Sequence, residues 1–214
     1  MIGGLNLLRW VLVAVSIAAI FLQANHLIAS GRFELGPFFS FFTIQANLIA
    51  IGVLVISALG GMGLSDGSQA ALRGASVLYL TITGLVYAVL LSQLPMVKEI
   101  VHPVADGVHH LLMPLWVLFD WVVDPPRNRP GYRRSLRWLA YPLVFLFFSL
   151  IRGAITGWYP YPFLSPEQAG GWLALGIVSG VIFLIACGLI GLILLLVPRG
   201  ERSRQGAAGP VDIA

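Results

Sequence analysis

The sequence predicts an all-α integral membrane protein, a bundle of six transmembrane helices with both termini in the cytoplasm. Three observations carry this prediction. Hydrophobic residues make up 58% of the 214 residues and charged residues only 10%, whereas a soluble domain carries about 25% charged residues. The apolar residues form runs of about 20, the length that crosses about 30 Å of hydrocarbon. Basic residues are concentrated on one side of these runs.

Six apolar runs follow one another along the chain. The first is interpreted as a retained span and not as a removed signal peptide, because it lacks a persuasive small-residue cleavage site. Segments rich in Gly, Pro and polar residues separate the runs, among them GRFELGP, GGMGLSDGSQ and DPPRNRPGYRR. The predicted spans are 6–29, 39–60, 72–92, 103–123, 136–157 and 170–197.

The basic residues predict the orientation of these spans. If the spans alternate in direction, Arg32 and Lys98 fall on one side. Ten residues fall on the other side: Arg9, Arg73, Arg127, Arg129, Arg133, Arg134, Arg137, Arg199, Arg202 and Arg204. Cytoplasmic segments of membrane proteins carry the excess of Lys and Arg, so both termini are expected in the cytoplasm, below a plasma or inner membrane. This topological role accounts for the basic loop, and no nucleic-acid partner is predicted.

The chain shows no internal repeat and no sign of a second domain, so residues 1–198 are predicted to form one transmembrane domain. Residues 199–214, RGERSRQGAAGPVDIA, are small, polar and charged, which predicts a disordered cytoplasmic tail. The single cysteine, Cys187, supplies no disulfide framework. The sequence gives no oligomeric state.

Polar side chains gather near the outer ends of four predicted spans. They are Gln23, Asn25 and His26 in the first span, Thr43 in the second, His102, Asp106, His109 and His110 in the fourth, and Arg152 and Thr156 in the fifth. The inner halves of the same spans are mostly apolar. Ionisable residues inside a membrane are costly and mark a functional site by default. Their shared depth predicts a site in the outer half of the membrane.

Helical spacing assigns roles to some of these residues. Asp106 and His110 are four residues apart, so the carboxylate can fix the tautomer of the imidazole, as it does for a catalytic histidine. Thr43 lies near a helix N-terminus and would be a nucleophile if a histidine activated it. Backbone amides, Asn47 or Gln45 could supply oxyanion donors. A coherent hydrolase site therefore has Thr43 as nucleophile and His110 as base, with no cofactor.

Structural roles compete with these assignments. Thr43 or Ser40 could cap the second span, and Gln45 and Asn47 could join helices through hydrogen bonds. His109 points about 100° away from His110, so only one of the two can face a given pocket.

The outer residues also have two interpretations each. Arg152 could snorkel to the headgroups or bind the carboxylate of an acidic lipid. His26 could be a helix-end residue or a substrate contact. The loop GWYPYPF, with Trp158 and Tyr159, could form an interfacial aromatic belt or roof a lipid entrance.

Three stretches together resemble a known family: FFSFFTIQANLIA with Thr43, HHLLMPLWVLFDW with His110, and RGAITGWYPYPFL with Arg152. The chain resembles the androgen-induced, androgen-dependent family of multi-pass membrane proteins, especially its bacterial branch of six-pass proteins. The resemblance covers the six spans and not the tail. The span around LFDW and the GWYPYPF loop depart from the animal members.

The resemblance implies an activity. Animal members of the family are intramembrane threonine hydrolases that cleave the ester joining a fatty acid to a hydroxy fatty acid. Their catalytic pair is a Thr in an early span and a His in a later one. By resemblance these positions correspond to Thr43 and to His110, with His109 as the alternative. A fatty-acyl ester is then the expected substrate, and membrane lipids are the expected surroundings.

Two other function classes stay open. His102, Asp106 and His110 share a helical face, and with His26 they could ligate a metal or a haem, since histidine suits zinc, copper and iron. Polar groups facing a cavity also fit a transport path or a lipid-binding protein without catalysis.

Overall fold

The computed structural model describes residues 2–127 and 129–197, and all regular structure within these residues is helical. This confirms the all-α prediction. The predicted disordered tail, 199–214, lies outside the described residues.

Eleven α-helices occur in this part of the chain. They are α1 (Ile2–Ala29), α2 (Leu35–Phe39), α3 (Phe42–Ala58), α4 (Asp66–Val86), α5 (Pro95–Ile100), α6 (Pro103–Gly107), α7 (Met113–Val123), α8 (Tyr132–Ser135), α9 (Ala140–Thr156), α10 (Pro166–Ala169) and α11 (Trp172–Leu195). Two π-helical segments continue or join them, Tyr87–Leu91 after α4 and Val108–Leu112 between α6 and α7. Two 3₁₀ segments are Leu136–Leu139 and Pro162–Leu164.

Four helical stretches are long and apolar enough to cross a membrane: Gly3–Ala29, Asp66–Leu91, Tyr132–Thr156 and Trp172–Leu195. The other two predicted spans correspond to α3, which has 17 residues, and to the helical stretch 103–123, which carries Asp, His and Pro residues along its length. Six spans and the position of the termini remain predictions.

The helix α4 lies at the centre of the bundle. It packs against α3, α7 and α11, while α1 packs against α3 and α6. Many large hydrophobic side chains are exposed on the surface of the bundle. Val89, Ile155 and Leu173, for example, are 72%, 79% and 80% exposed. An apolar surface this extensive is typical of a protein that contacts a membrane or a partner.

The second predicted span begins with a break. Residues 35–39 form the short α2, and α3 starts only at Phe42 after the extended residue Phe41. The Ser40 hydroxyl donates to the carbonyl of Gly36 at 2.6 Å, so it closes α2. Phe41 is the N-cap of α3 and no side chain caps this helix. The interpretation of Ser40 or Thr43 as the cap of this span is therefore wrong, and the Thr43 hydroxyl is free for another partner.

A buried charge network joins α1, α4 and α7 at the end of the bundle away from Thr43. Arg9 Nε lies 2.7 Å from Asp120 Oδ1, and Arg73 Nη2 lies 2.9 Å from Asp120 Oδ2. Both arginines also contact Asp124, at 2.6 and 3.3 Å. Arg9 and Asp120 are each only 4% exposed. The two carboxylates balance the two guanidinium groups, which is the condition for burying such charges.

Candidate active site

Thr43 and His110 lie side by side, although 67 residues separate them in the chain. Thr43 Oγ1 is 3.2 Å from His110 Nε2. Thr43 is the second residue of α3, and His110 is in the middle of the π-helical segment that precedes α7. A general base must lie about 2.6–3.2 Å from the proton donor, and this pair meets that condition without rearrangement.

Asp106 orients the histidine from the opposite side of the ring. Its Oδ1 lies 2.7 Å from His110 Nδ1. An ionised carboxylate only accepts hydrogen bonds, so we assign the ring proton to Nδ1. Nε2 is then free to accept the proton of Thr43. The result is a hydroxyl, an imidazole and a carboxylate in a row, the order of the catalytic triads of serine hydrolases.

Tyr87 holds both Asp106 and His110. Its hydroxyl donates to Asp106 Oδ2. Its ring stacks on the His110 ring, with 3.8 Å between the centroids and 10° between the planes. The carboxylate and the imidazole are therefore fixed in orientation by one side chain from the neighbouring helix.

The histidine stands on an irregular turn of helix. Between α6 and α7 the N–H of Met113 donates to the carbonyl of Val108, five residues back. Pro114 follows and has no N–H to donate to the carbonyl of His110. Gly84 of α4 packs against this turn so closely that a Cβ there would lie 2.9 Å from the His110 carbonyl oxygen. Single turns of π-helix are frequent at functional sites. Here the π-helical segment ends two residues before Pro114.

Tyr161 covers the other side of the Thr43 hydroxyl. The backbone N–H of Thr43 donates to the Tyr161 hydroxyl oxygen at 3.3 Å, and Thr43 Oγ1 lies 3.5 Å from the same oxygen. Tyr161 belongs to the loop between α9 and α11. Desolvation raises the pKa of its phenol, so the hydroxyl keeps its proton and remains a donor.

The two amide side chains of the site support α3. Asn47 Nδ2 donates to the carbonyl of Thr43 at 2.9 Å. Gln45 Nε2 donates to the carbonyl of Phe39 at 2.7 Å, and its Oε1 accepts from the Tyr141 hydroxyl. Both amide nitrogens that the sequence offered as oxyanion donors therefore have backbone acceptors instead.

Ser40 and Trp158 form a second group of residues around Arg152. Its Nη1 donates to Ser40 Oγ at 2.6 Å, and its guanidinium lies 4.5 Å from the centre of the Trp158 ring. Tyr159 packs on Gly153, where a Cβ would lie 2.0 Å from its Cε1. None of the salt bridges among the described residues involves Arg152. The guanidinium can therefore bind an anionic group at the N-terminal end of α3.

The other three histidines make no hydrogen bond to Thr43. His109, the alternative base, is 3% exposed and Nε2 has no hydrogen-bond partner in the described part of the chain. His26 packs edge-on against His102, 5.6 Å between ring centroids. Within residues 2–127 and 129–197, no group of three or more His, Cys, Asp or Glu side chains is arranged to hold a metal ion.

An apolar cavity extends from Thr43 into the bundle, between α3, α4, α9 and α11. Its lining is mainly hydrophobic, including Ile82, Val86, Leu143, Phe145, Ile182 and Phe183, with Thr43, Thr83, Tyr161 and Ser179 as polar residues. Its volume is about 110 Å³. A cavity of this composition favours a hydrocarbon chain.

The two tyrosines that contact the site were not predicted from the sequence. Tyr87 lies at the end of the third span, 23 residues before His110, and no local spacing connects the two. Tyr161 was included only in the aromatic loop GWYPYPF. The one available signal was a phenol at or beyond the end of a span, where aromatic belts are also expected.

Comparison with protein-family models, curated proteins and solved structures finds no match for this chain. The contacts of its own side chains therefore carry the functional argument.

Proposed function

We propose that this protein is an integral-membrane threonine hydrolase that cleaves lipid esters, in the first place fatty acid esters of hydroxy fatty acids. The observation that carries the proposal is the row of Thr43 Oγ1, His110 and Asp106, with contacts of 3.2 and 2.7 Å. The resemblance of the sequence to a family of threonine hydrolases supports the choice of substrate.

In the first step His110 Nε2 takes the proton of the Thr43 hydroxyl as Oγ1 forms a bond to the ester carbonyl carbon. Asp106 stabilises the imidazolium that results. The C–O bond to the alcohol then breaks, and the alcohol leaves with the proton from His110. Water then attacks the acyl-threonine while His110 takes one of its protons. The proton returns to Thr43 Oγ1 as the fatty acid leaves. No cofactor enters these steps.

The surroundings of Thr43 match the two ends of such a substrate. The apolar cavity would take an acyl chain, while Arg152, Trp158 and Tyr159 lie at the polar end. A carboxylate near Arg152 would replace the single hydroxyl contact to Ser40 with a charge-assisted pair. His26, which contacts His102, would assist only at the rim of the site.

We further propose six spans in a plasma or inner membrane, with both termini cytoplasmic and Thr43 near the outer surface. The excess of basic residues on the opposite side of the spans supports this orientation. Single cysteines introduced in the 157–171 loop and in the 124–131 loop of a Cys187→Ser protein would test it with an impermeant thiol reagent. Only the first set should react in intact cells. Reaction of the second set would contradict the orientation.

Ester hydrolysis by purified protein in lipid nanodiscs tests the activity. Thr43→Ala and His110→Ala should lose most of the rate, and Thr43→Ser, which keeps the hydroxyl, should retain part of it. His109→Ala should keep the chemistry, because its ring does not reach Thr43. Thr81→Ala, on α4 outside the cavity lining, is the matched control. Full hydrolysis by Thr43→Ala would contradict the proposal, and lipid binding without hydrolysis by the wild type would favour a lipid carrier.

A further inference from the structure

The hydroxyl of Tyr161 has a place beside Thr43 that the steps above do not use. It accepts a hydrogen bond from the Thr43 N–H at 3.3 Å and lies 3.5 Å from Thr43 Oγ1. An O–H···O hydrogen bond is usually about 2.5–3.0 Å long. At 3.5 Å the phenol oxygen lies beside the nucleophile without a short hydrogen bond to it.

The ester carbonyl oxygen needs a donor when Thr43 attacks, because it becomes negatively charged. Asn47 and Gln45 donate to backbone carbonyls. The Thr43 N–H donates to Tyr161 itself. Among the described residues, only His110 and Tyr161 have side chains within hydrogen-bond distance of Thr43 Oγ1. His110 is the base, so Tyr161 is the side-chain donor that remains.

We propose that Tyr161 is a catalytic residue whose hydroxyl donates a hydrogen bond to the oxyanion of the tetrahedral intermediate. In this intermediate the oxyanion and Oγ1 are bonded to the same carbon. An oxyanion donor lies about 2.7–3.1 Å from that oxygen. A phenol 3.5 Å from Oγ1 can meet this distance when the substrate oxygen lies beside the line that joins Oγ1 to the phenol oxygen.

The contacts of Tyr161 prepare it for this role. Its ring stacks on Phe163 with 3° between the planes and packs edge-on against Phe41. The amide that donates to its oxygen comes from the first turn of α3, where backbone N–H groups carry a positive partial charge. A hydrogen bond accepted by the oxygen strengthens the one that the hydroxyl donates.

The step balances without a further reagent. As the Oγ1–C bond forms, the carbonyl π electrons move to the oxygen and the Thr43 proton moves to His110. Tyr161 keeps its own proton and shares it with the oxyanion. When the C–O bond to the alcohol breaks, the electrons return to the carbonyl and the hydrogen bond weakens.

Tyr161→Phe tests this inference, which rests on the proposed hydrolase activity. The variant keeps the ring and its stacking on Phe163. We expect kcat to fall about 10²–10³-fold, the usual effect of removing one oxyanion donor, with KM changed much less. Tyr132→Phe removes a hydroxyl that donates to the Cys187 carbonyl, away from the site, and should keep kcat.

The outcomes separate the two proposals. If Thr43→Ala abolishes hydrolysis and folded Tyr161→Phe retains wild-type kcat, the oxyanion role is overturned and the threonine hydrolase stands. If Thr43→Ala hydrolyses normally, the hydrolase proposal fails and this inference fails with it. Should Tyr161→Phe not fold, fluorotyrosines of graded acidity at position 161 decide the matter. Their kcat values should follow phenol acidity, and independence from acidity would overturn the role.

Discussion

At the scale of single residues, Tyr87 determines the orientation of the His110 ring. It donates to Asp106 and stacks on the imidazole, so both groups behind Thr43 depend on it. Tyr87→Phe keeps the stacking and loses the hydrogen bond. We expect kcat of ester hydrolysis to fall about tenfold, the usual effect of losing a hydrogen bond to a charged group. Tyr132→Phe is again the control, and an unchanged kcat for Tyr87→Phe would show that Asp106 needs no second partner.

Residue spacing made part of the site predictable. Asp106 and His110 are one helical turn apart, so their contact follows from local geometry. The contact between Thr43 and His110 joins two helices and came only from their common depth and the family resemblance. Tyr87 and Tyr161 were not predictable, because a tyrosine at a span end has the same pattern whether it faces lipid or a catalytic carboxylate.

At the scale of elements, Gly84 lets α4 approach the turn that carries His110. A Cβ at this position would lie 2.9 Å from the His110 carbonyl oxygen, a backbone atom. Gly84→Ala should displace the π-helical segment and lower kcat about 10–100-fold, since small misplacements of catalytic groups are costly. Gly180→Ala on α11 is the matched control, because a Cβ there meets nothing within 4 Å. Equal kcat values for the two variants would contradict the proposed role of this close approach.

The cavity between α4, α9 and α11 should limit the length of the acyl chain. Ala186 lies in its lining and is 2% exposed. Ala186→Phe should lower kcat/KM for long-chain esters relative to short-chain esters about tenfold or more, because pockets discriminate strongly by volume. Leu184→Phe, at a position 68% exposed on the same helix, should leave this ratio unchanged. The ratio is independent of the folded fraction, and an unchanged ratio for Ala186→Phe would place the acyl chain elsewhere.

Most helix positions were predictable because apolar runs and breakers determine them. The fourth span was expected at 103–123, and the helical stretch has these bounds. The irregular parts were not predictable. The break at Phe41 and the two π-helical segments depend on packing between helices, and only Pro114 gave a local sign of one of them.

At the scale of the whole molecule, the buried charge network connects α1, α4 and α7 at the end opposite Thr43. Asp120→Asn would replace the carboxylate that lies 2.7 Å from Arg9 Nε with a neutral amide, while Arg9 itself is only 4% exposed. We expect a loss of about 3–5 kcal/mol in the free energy of unfolding, as for other broken buried ion pairs. Chemical denaturation in detergent measures this loss.

Arg127→Ala is the control for that measurement. Its contact to Asp66 is 3.3 Å long and both side chains are exposed, so its removal should cost about 0–1 kcal/mol. Equal effects of the two substitutions would show that the buried network contributes no more than a surface pair.

The network also involves two of the basic residues that predict the orientation. Arg9 and Arg73 are paired with Asp120 and Asp124 inside the bundle. Their charge therefore has a structural role as well. This pairing was not predictable, because the partners lie 47 residues or more apart in the chain.

The central claim is that the hydroxyl of Thr43 forms a covalent bond with the acyl group. The most direct measurement is peptide mass spectrometry of the protein after reaction with a fluorophosphonate that carries an alkyl chain. The account predicts that the label is bonded to Thr43 and that both Thr43→Ala and His110→Ala lose it. A label on another residue, or undiminished labelling of Thr43→Ala, would contradict the account.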